Sequence, residues 1–96
     1  MISKKEIKET LEKYRSFLKE HYRVNKIGLF GSFARGEQNQ HSDIDLLVDY
    51  DPIIGWDVFE LREFLEEKLG RKVDLVPTRA IKPQLKDTIL REVVYI

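Results

Sequence analysis

The sequence predicts an α+β chain in which a small mixed sheet of about three to four strands is flanked by helices. Residues 3–22 repeat apolar side chains at helical spacing, whereas 24–30, 43–49 and 72–77 are short apolar runs of strand length. Between the second and third runs lies a stretch with a helical stripe, Trp56 to Leu69, long enough to act as a crossover that brings those two strands side by side. Ninety-six residues suit one domain spanning 1–96, in which a single core buries roughly two-thirds of the unfolded surface.

Seventeen Lys plus Arg balance 17 Asp plus Glu, and no basic stripe marks a nucleic-acid backbone, so direct nucleic-acid binding is not expected. The absence of cysteine excludes disulfides and thiolate metal sites. No apolar run approaches a membrane span, and Met1 to Lys5 lacks the apolar region of a signal peptide, which together lead us to expect a cytoplasmic chain with no membrane partner.

Ser3-Lys4-Lys5-Glu6 fits a capping box, with Ile2 and Ile7 placed to close a hydrophobic staple over it. One helix is expected from there to His21-Tyr22, its apolar face formed by Ile7, Leu11, Tyr14, Phe17 and Leu18. Val24 to Phe30 is the first strand and Asp43 to Asp49 the second, joined by a polar loop from Gly36 to Ser42 that is expected to be mobile. His41 in that loop is either a solvated histidine or a contact for phosphate or acceptor. In the next helix Val58, Leu61, Leu65 and Leu69 share a stripe, and Gly70 provides a stop. Trp56 at its start packs over the core or stacks on a base or partner. Lys72 to Pro77 is the third strand, with Asp74 between Val73 and Leu75 reading on its own as a solvated aspartate. A last helix opens around Pro83, which suits a first turn, and Val93 to Ile96 is apolar enough to pair as a short strand or to meet another protein.

Chemistry concentrates between Leu29 and Val48. The first strand stops at Gly31-Ser32, and Phe33-Ala34-Arg35 reads as a short helical stretch. Glycine lets the backbone approach a ligand closely, and serine places a hydroxyl beside the free N–H groups of the first turn, a corner suited to phosphate. Arg35 is placed either to contact that phosphate or simply to be solvated. Asp43 and Asp45 are two apart on a strand and project to one face, away from Ile44, Leu46 and Val48. Two adjacent carboxylates repel unless a proton or cation lies between them, and magnesium is a hard cation that prefers such oxygen ligands.

Gly31-Ser32, ten intervening residues and then Asp43-x-Asp45 resemble the G-S-x10-D-x-D signature of the nucleotidyltransferase superfamily that includes DNA polymerase beta. The string GSFARGEQNQHSDIDLLV looks most like the minimal nucleotidyltransferases of bacteria and archaea, the small partners in HEPN-type toxin–antitoxin pairs. The resemblance implies a polymerase beta-like fold with Asp74 as the third carboxylate. It also implies that Asp43, Asp45 and Asp74 hold two magnesium ions (or manganese), that Asp74 takes the proton of the attacking hydroxyl, and that Gly31, Ser32 and Arg35 bind the nucleotide. The implied reaction moves AMP from ATP to a tyrosine of a cognate HEPN-type RNase toxin, which this antitoxin neutralises within a hetero-oligomer. A binding antitoxin that only masks the toxin, a nucleotidyltransferase acting on an aminoglycoside-like small molecule, and a metal-binding domain without transfer activity are the other readings.

Overall fold

A computed structural model describes residues 2–51 and 58–96; Pro52, Gly55 and Trp56 fall outside them. Helix α1 (Lys4–Lys13) starts at the expected box: the Ser3 hydroxyl accepts the Glu6 N–H at 3.1 Å, and the Ser3 N–H donates to Glu6 Oε1 at 3.2 Å. Ile7 is fully buried, and Ile2 packs against the same cluster. The expected single helix is instead two. Tyr14 leaves helical geometry at φ −99° and ψ 7°, and α2 runs from Arg15 to Tyr22. The interruption is one residue wide, since Tyr14 N–H still reaches Thr10 O at 3.2 Å and Leu18 N–H reaches Tyr14 O at 2.8 Å. The Tyr14 ring stands edge-on to Phe64, 5.6 Å between centroids, so tertiary packing accompanies a bend that no proline or glycine announces.

Strand β1 (Val24–Phe30) follows after Arg23, which turns the chain in the left-handed region at φ 57°. It leads into α3 (Gly31–Arg35), and β2 (Ile44–Tyr50) begins one residue later than expected, leaving Asp43 just outside the strand. Helix α4 (Val58–Leu69) ends against Gly70 at φ +68°, and β3 (Val73–Pro77) returns parallel to β2. A single turn of 3₁₀ helix, Thr78–Ala80, precedes α5 (Pro83–Glu92), whose first turn carries the proline. The apolar tail pairs as expected, forming β4 (Val94–Tyr95) antiparallel to β1. Close approach of this tail explains Gly28: a Cβ there would lie 2.5 Å from Val93 Cγ2 and 3.0 Å from the Tyr95 ring.

The sheet order is β3-β2-β1-β4, with β1 antiparallel to β2, so the sheet is mixed as the sequence predicts. One face carries the main core, where Ile7, Leu11 and Leu18 meet Leu29, Ile44, Leu46, Val48, Leu61 and Leu65. Burying that many large aliphatic side chains is the chief stabilisation of the fold. Among the described residues the other face is thinly covered: Phe30, Leu47 and Ile89 form a small cluster with Val76, Ile81 and Val93 at its edge. Strand alternation puts Asp45 on the Leu47 side of β2 and Asp74 on the Val76 side of β3. The carboxylates therefore share the open face with α5.

Candidate active site

Parallel pairing sets Asp45 directly opposite Asp74, within a register that runs from Ile44↔Val73 to Val48↔Pro77. The Asp74 carboxyl acts on Asp45 both through its charge and through side-chain contact, and both favour the protonated form of Asp45. Half-buried against the sheet, Asp45 has its pKa pushed up to about 6, first by desolvation and then by Asp74, with a smaller push from Asp43 and an opposing pull from Arg35.

Asp43 is exposed, precedes the first paired residue of β2, and acts on Asp45 through its charge. Among the described residues no three carboxylates or imidazoles gather into a ready-made metal site. The structure thus pairs Asp45 with Asp74 across the ladder and sets Asp43 on the groove that Asp74 also lines.

The Gly31-Ser32 corner abuts the pair. Phe30 is the register partner of Asp45, and Gly31 follows at φ +74°. A Cβ on Gly31 would fall 2.0 Å from Asp45 Oδ2, so only glycine fits between the corner and the carboxylate. Arg35, at the end of α3, is exposed but paired: Nε donates to Glu37 at 2.9 Å and Nη1 to Glu92 at 3.1 Å. Glu92 Oε1 also accepts the Gly31 N–H at 3.1 Å. Nothing local in the sequence pointed to Glu92, which lies 61 residues from Gly31.

The loop before Asp43 is more tightly tied than its composition suggests. Asn39 Oδ1 accepts the His41 N–H at 2.7 Å, and Ser42 Oγ accepts the Asn39 N–H at 2.9 Å, a side-chain-made turn. Arg71 then reaches across from the start of β3, donating to Ser42 O at 2.5 Å and Asn39 O at 2.8 Å while lying over the Phe33 ring. The expectation of a mobile loop missed this arginine, whose role depends on a contact 29 residues away. The His41 side chain is exposed and its ring lies near Gln40, 3.4 Å between nitrogens. Beside the carboxylates, a groove lined by Asp43, Arg62, Glu66, Lys72 and Asp74 opens to solvent.

Residues 11–96 match the model of the nucleotidyltransferase domain. The chain belongs to the nucleotidyltransferase domain family. This nucleotidyltransferase is 43% identical over 97 residues to the protein adenylyltransferase MntA of Thermococcus cleftensis, covering 100% of this chain and 98% of the relative. A structure described as a minimal nucleotidyltransferase superposes with a TM-score of 0.77 at 32% identity, covering 97% of this chain and 95% of the other. A toxin–antitoxin structure with AMP-PNP gives 0.67 at 26% identity, covering 98% of this nucleotidyltransferase and 72% of that chain. The Gly31-Ser32 corner and the aspartate pair thus belong to an enzyme of nucleotidyl transfer.

Proposed function

We propose that this chain transfers AMP from ATP to a tyrosine of a HEPN-type RNase toxin, as an antitoxin in the cytoplasm. The observation that carries the reading is the Asp45–Asp74 pair with the glycine corner packed directly on it. Its likeness to an adenylyltransferase along its whole length and to a toxin–antitoxin structure with AMP-PNP supports donor and acceptor class alike.

The donor set fits a hard divalent cation. Asp45 and Asp74 bring two carboxyl groups side by side across the ladder, an arrangement whose charge magnesium or manganese can neutralise. Asp45 and Asp74 would hold it, with Asp43 joining from the rim. Once bound, such ions acidify the attacking hydroxyl and neutralise charge on the nucleotide phosphates. The remaining tasks fall to the chain itself. Gly31 and Ser32 receive the phosphates, and the groove beside Asp74 leaves room for the acceptor. The tyrosine oxygen attacks the alpha phosphorus, the bond to the beta phosphate oxygen breaks, and pyrophosphate leaves. Asp74 takes the phenolic proton, whose pKa near ~10 makes such help necessary at neutral pH. Phosphate charge added beside an RNase site repels RNA, which accounts for neutralisation.

The test is label transfer in a host extract with magnesium, comparing alpha- and gamma-labelled ATP and using Asp43→Asn as the control. Alpha label alone on a protein band, lost in the variant, supports the reading. No label on any protein, with a stable partner still captured, points instead to an antitoxin that acts by binding.

A further inference from the structure

Glu92 closes α5 and is the polar link from that helix to the nucleotide corner. Its side chain is only 19% exposed, against 45% for the Arg35 side chain it holds. The β1–β4 pairing stops at Leu29 and Val94, and two residues beyond, the Glu92 carboxylate takes the Gly31 N–H. Helix α3 has no side-chain cap of its own, because its N-cap residue is Phe30. A carboxylate from the far end of the sequence supplies what the local sequence lacks. The same carboxylate receives Nη1 of Arg35 from both oxygens, at 3.2 and 3.1 Å. Gly31 and Arg35 both bear on Asp45: the first lies against it and the second pulls on its charge. Glu92 thus holds two groups that act on Asp45. Apart from this grip α5 is loosely attached, with Ile89 its one buried residue.

We propose that Glu92 is a positioning residue for the nucleotide, holding the Gly31 peptide and the Arg35 guanidinium in place against Asp45 before ATP arrives. The inference rests on the nucleotidyl-transfer reading above. A corner whose backbone and guanidinium are already held in place meets phosphates without first losing conformational freedom, so loss of that hold shows as weaker nucleotide binding. The opposite reading has physical content too. A carboxylate that merely competed with phosphate for these donors would weaken binding while present, and its removal would tighten it.

A fluorescent ATP analogue with magnesium, titrated into the chain and its variants, separates these outcomes without needing an acceptor protein. Glu92→Ala, which removes the Gly31 and Arg35 contacts together, is expected to weaken binding about tenfold, the scale of a hydrogen bond to a charged group. Glu92→Gln keeps an acceptor for the Gly31 N–H and is expected to lose less. Asp87→Ala, an exposed acid of the same helix, is expected to bind like the wild type. Melting curves identify the temperature range in which each variant is folded, and binding is measured there, so a role limited to stability would leave affinity unchanged. Equal or tighter binding by the folded Glu92 variants overturns the proposal. If Glu92→Ala does not fold, Glu92→Gln decides by the same criterion. A wild-type chain that fails to bind the analogue removes the ATP reading itself and the proposal with it.

Discussion

Asp45 and Asp74 are direct partners across the parallel β2–β3 ladder, and the Asp74 carboxyl favours the protonated form of Asp45. Such a pair is stable as one acid and one carboxylate, and unstable as two carboxylates. A site of this kind is folded at some expense to the fold.

The sign of its pH dependence follows from the raised pKa. Asp45 titrates at about 6 in the folded chain against 3.8 when unperturbed, so between these values the folded state holds a proton that the unfolded state has released. Stability from this group is full below the lower value and is lost as pH rises through the higher one. Asp45→Asn keeps a neutral partner for Asp74 and removes the second charge. In chelator, its melting temperature is expected to match wild type near pH 4 and to exceed it increasingly from there to beyond pH 6, approximate bounds set by that window. A variant that melts below wild type at neutral pH would show that the carboxylates do not repel.

Two glycines with the same positive φ of +74° sit at opposite ends of α3 and separate conformation from contact. At Gly36 an added Cβ meets nothing within 4 Å, so Gly36→Ala is expected to cost about 1 kcal/mol from the left-handed backbone alone. Gly31→Ala drives a methyl group into Asp45 and is expected to cost on the order of 3 kcal/mol and to abolish transfer. Urea unfolding of the two variants measures the difference. Equal losses would mean that Gly31 is not pressed on the carboxylate.

Arg71 is expected to hold the approach to Asp43. Arg71→Ala removes two bonds to loop carbonyls, those of Asn39 and Ser42, and is expected to cost about 2 kcal/mol. Limited proteolysis should then cut between Glu37 and Ser42, where the wild type is expected to resist, and transfer should slow. Unchanged protection would place the ordering of this loop in the Asn39 and Ser42 turn alone.

What the sequence made legible was carried by local signals. The Ser3 box, the strand limits of β1, the proline at the start of α5 and the apolar tail are each written within a few neighbouring residues, and each forms as expected. Asp74 is a different case, since its own surroundings suggest a solvated aspartate and only the superfamily resemblance placed it beside Asp45. The missed features depend on partners far along the chain. Tyr14 bends the first helix against Phe64, Arg71 ties a loop 29 residues away, and Glu92 reaches a glycine 61 residues away. At Asp43 only the strand limit differs from expectation. Period-two spacing assumes a strand, and the ladder begins one residue after it.

The central claim is that the Asp45–Asp74 pair carries out AMP transfer to a protein. The most direct measurement is the intact mass of the partner toxin after incubation with this chain, ATP and magnesium, alongside Asp45→Asn and Asp74→Asn. The expected result is a mass gain of AMP, or a multiple of it, mapping to a tyrosine and absent with either variant. A gain of phosphate alone, or an AMP gain that survives both substitutions, would contradict it.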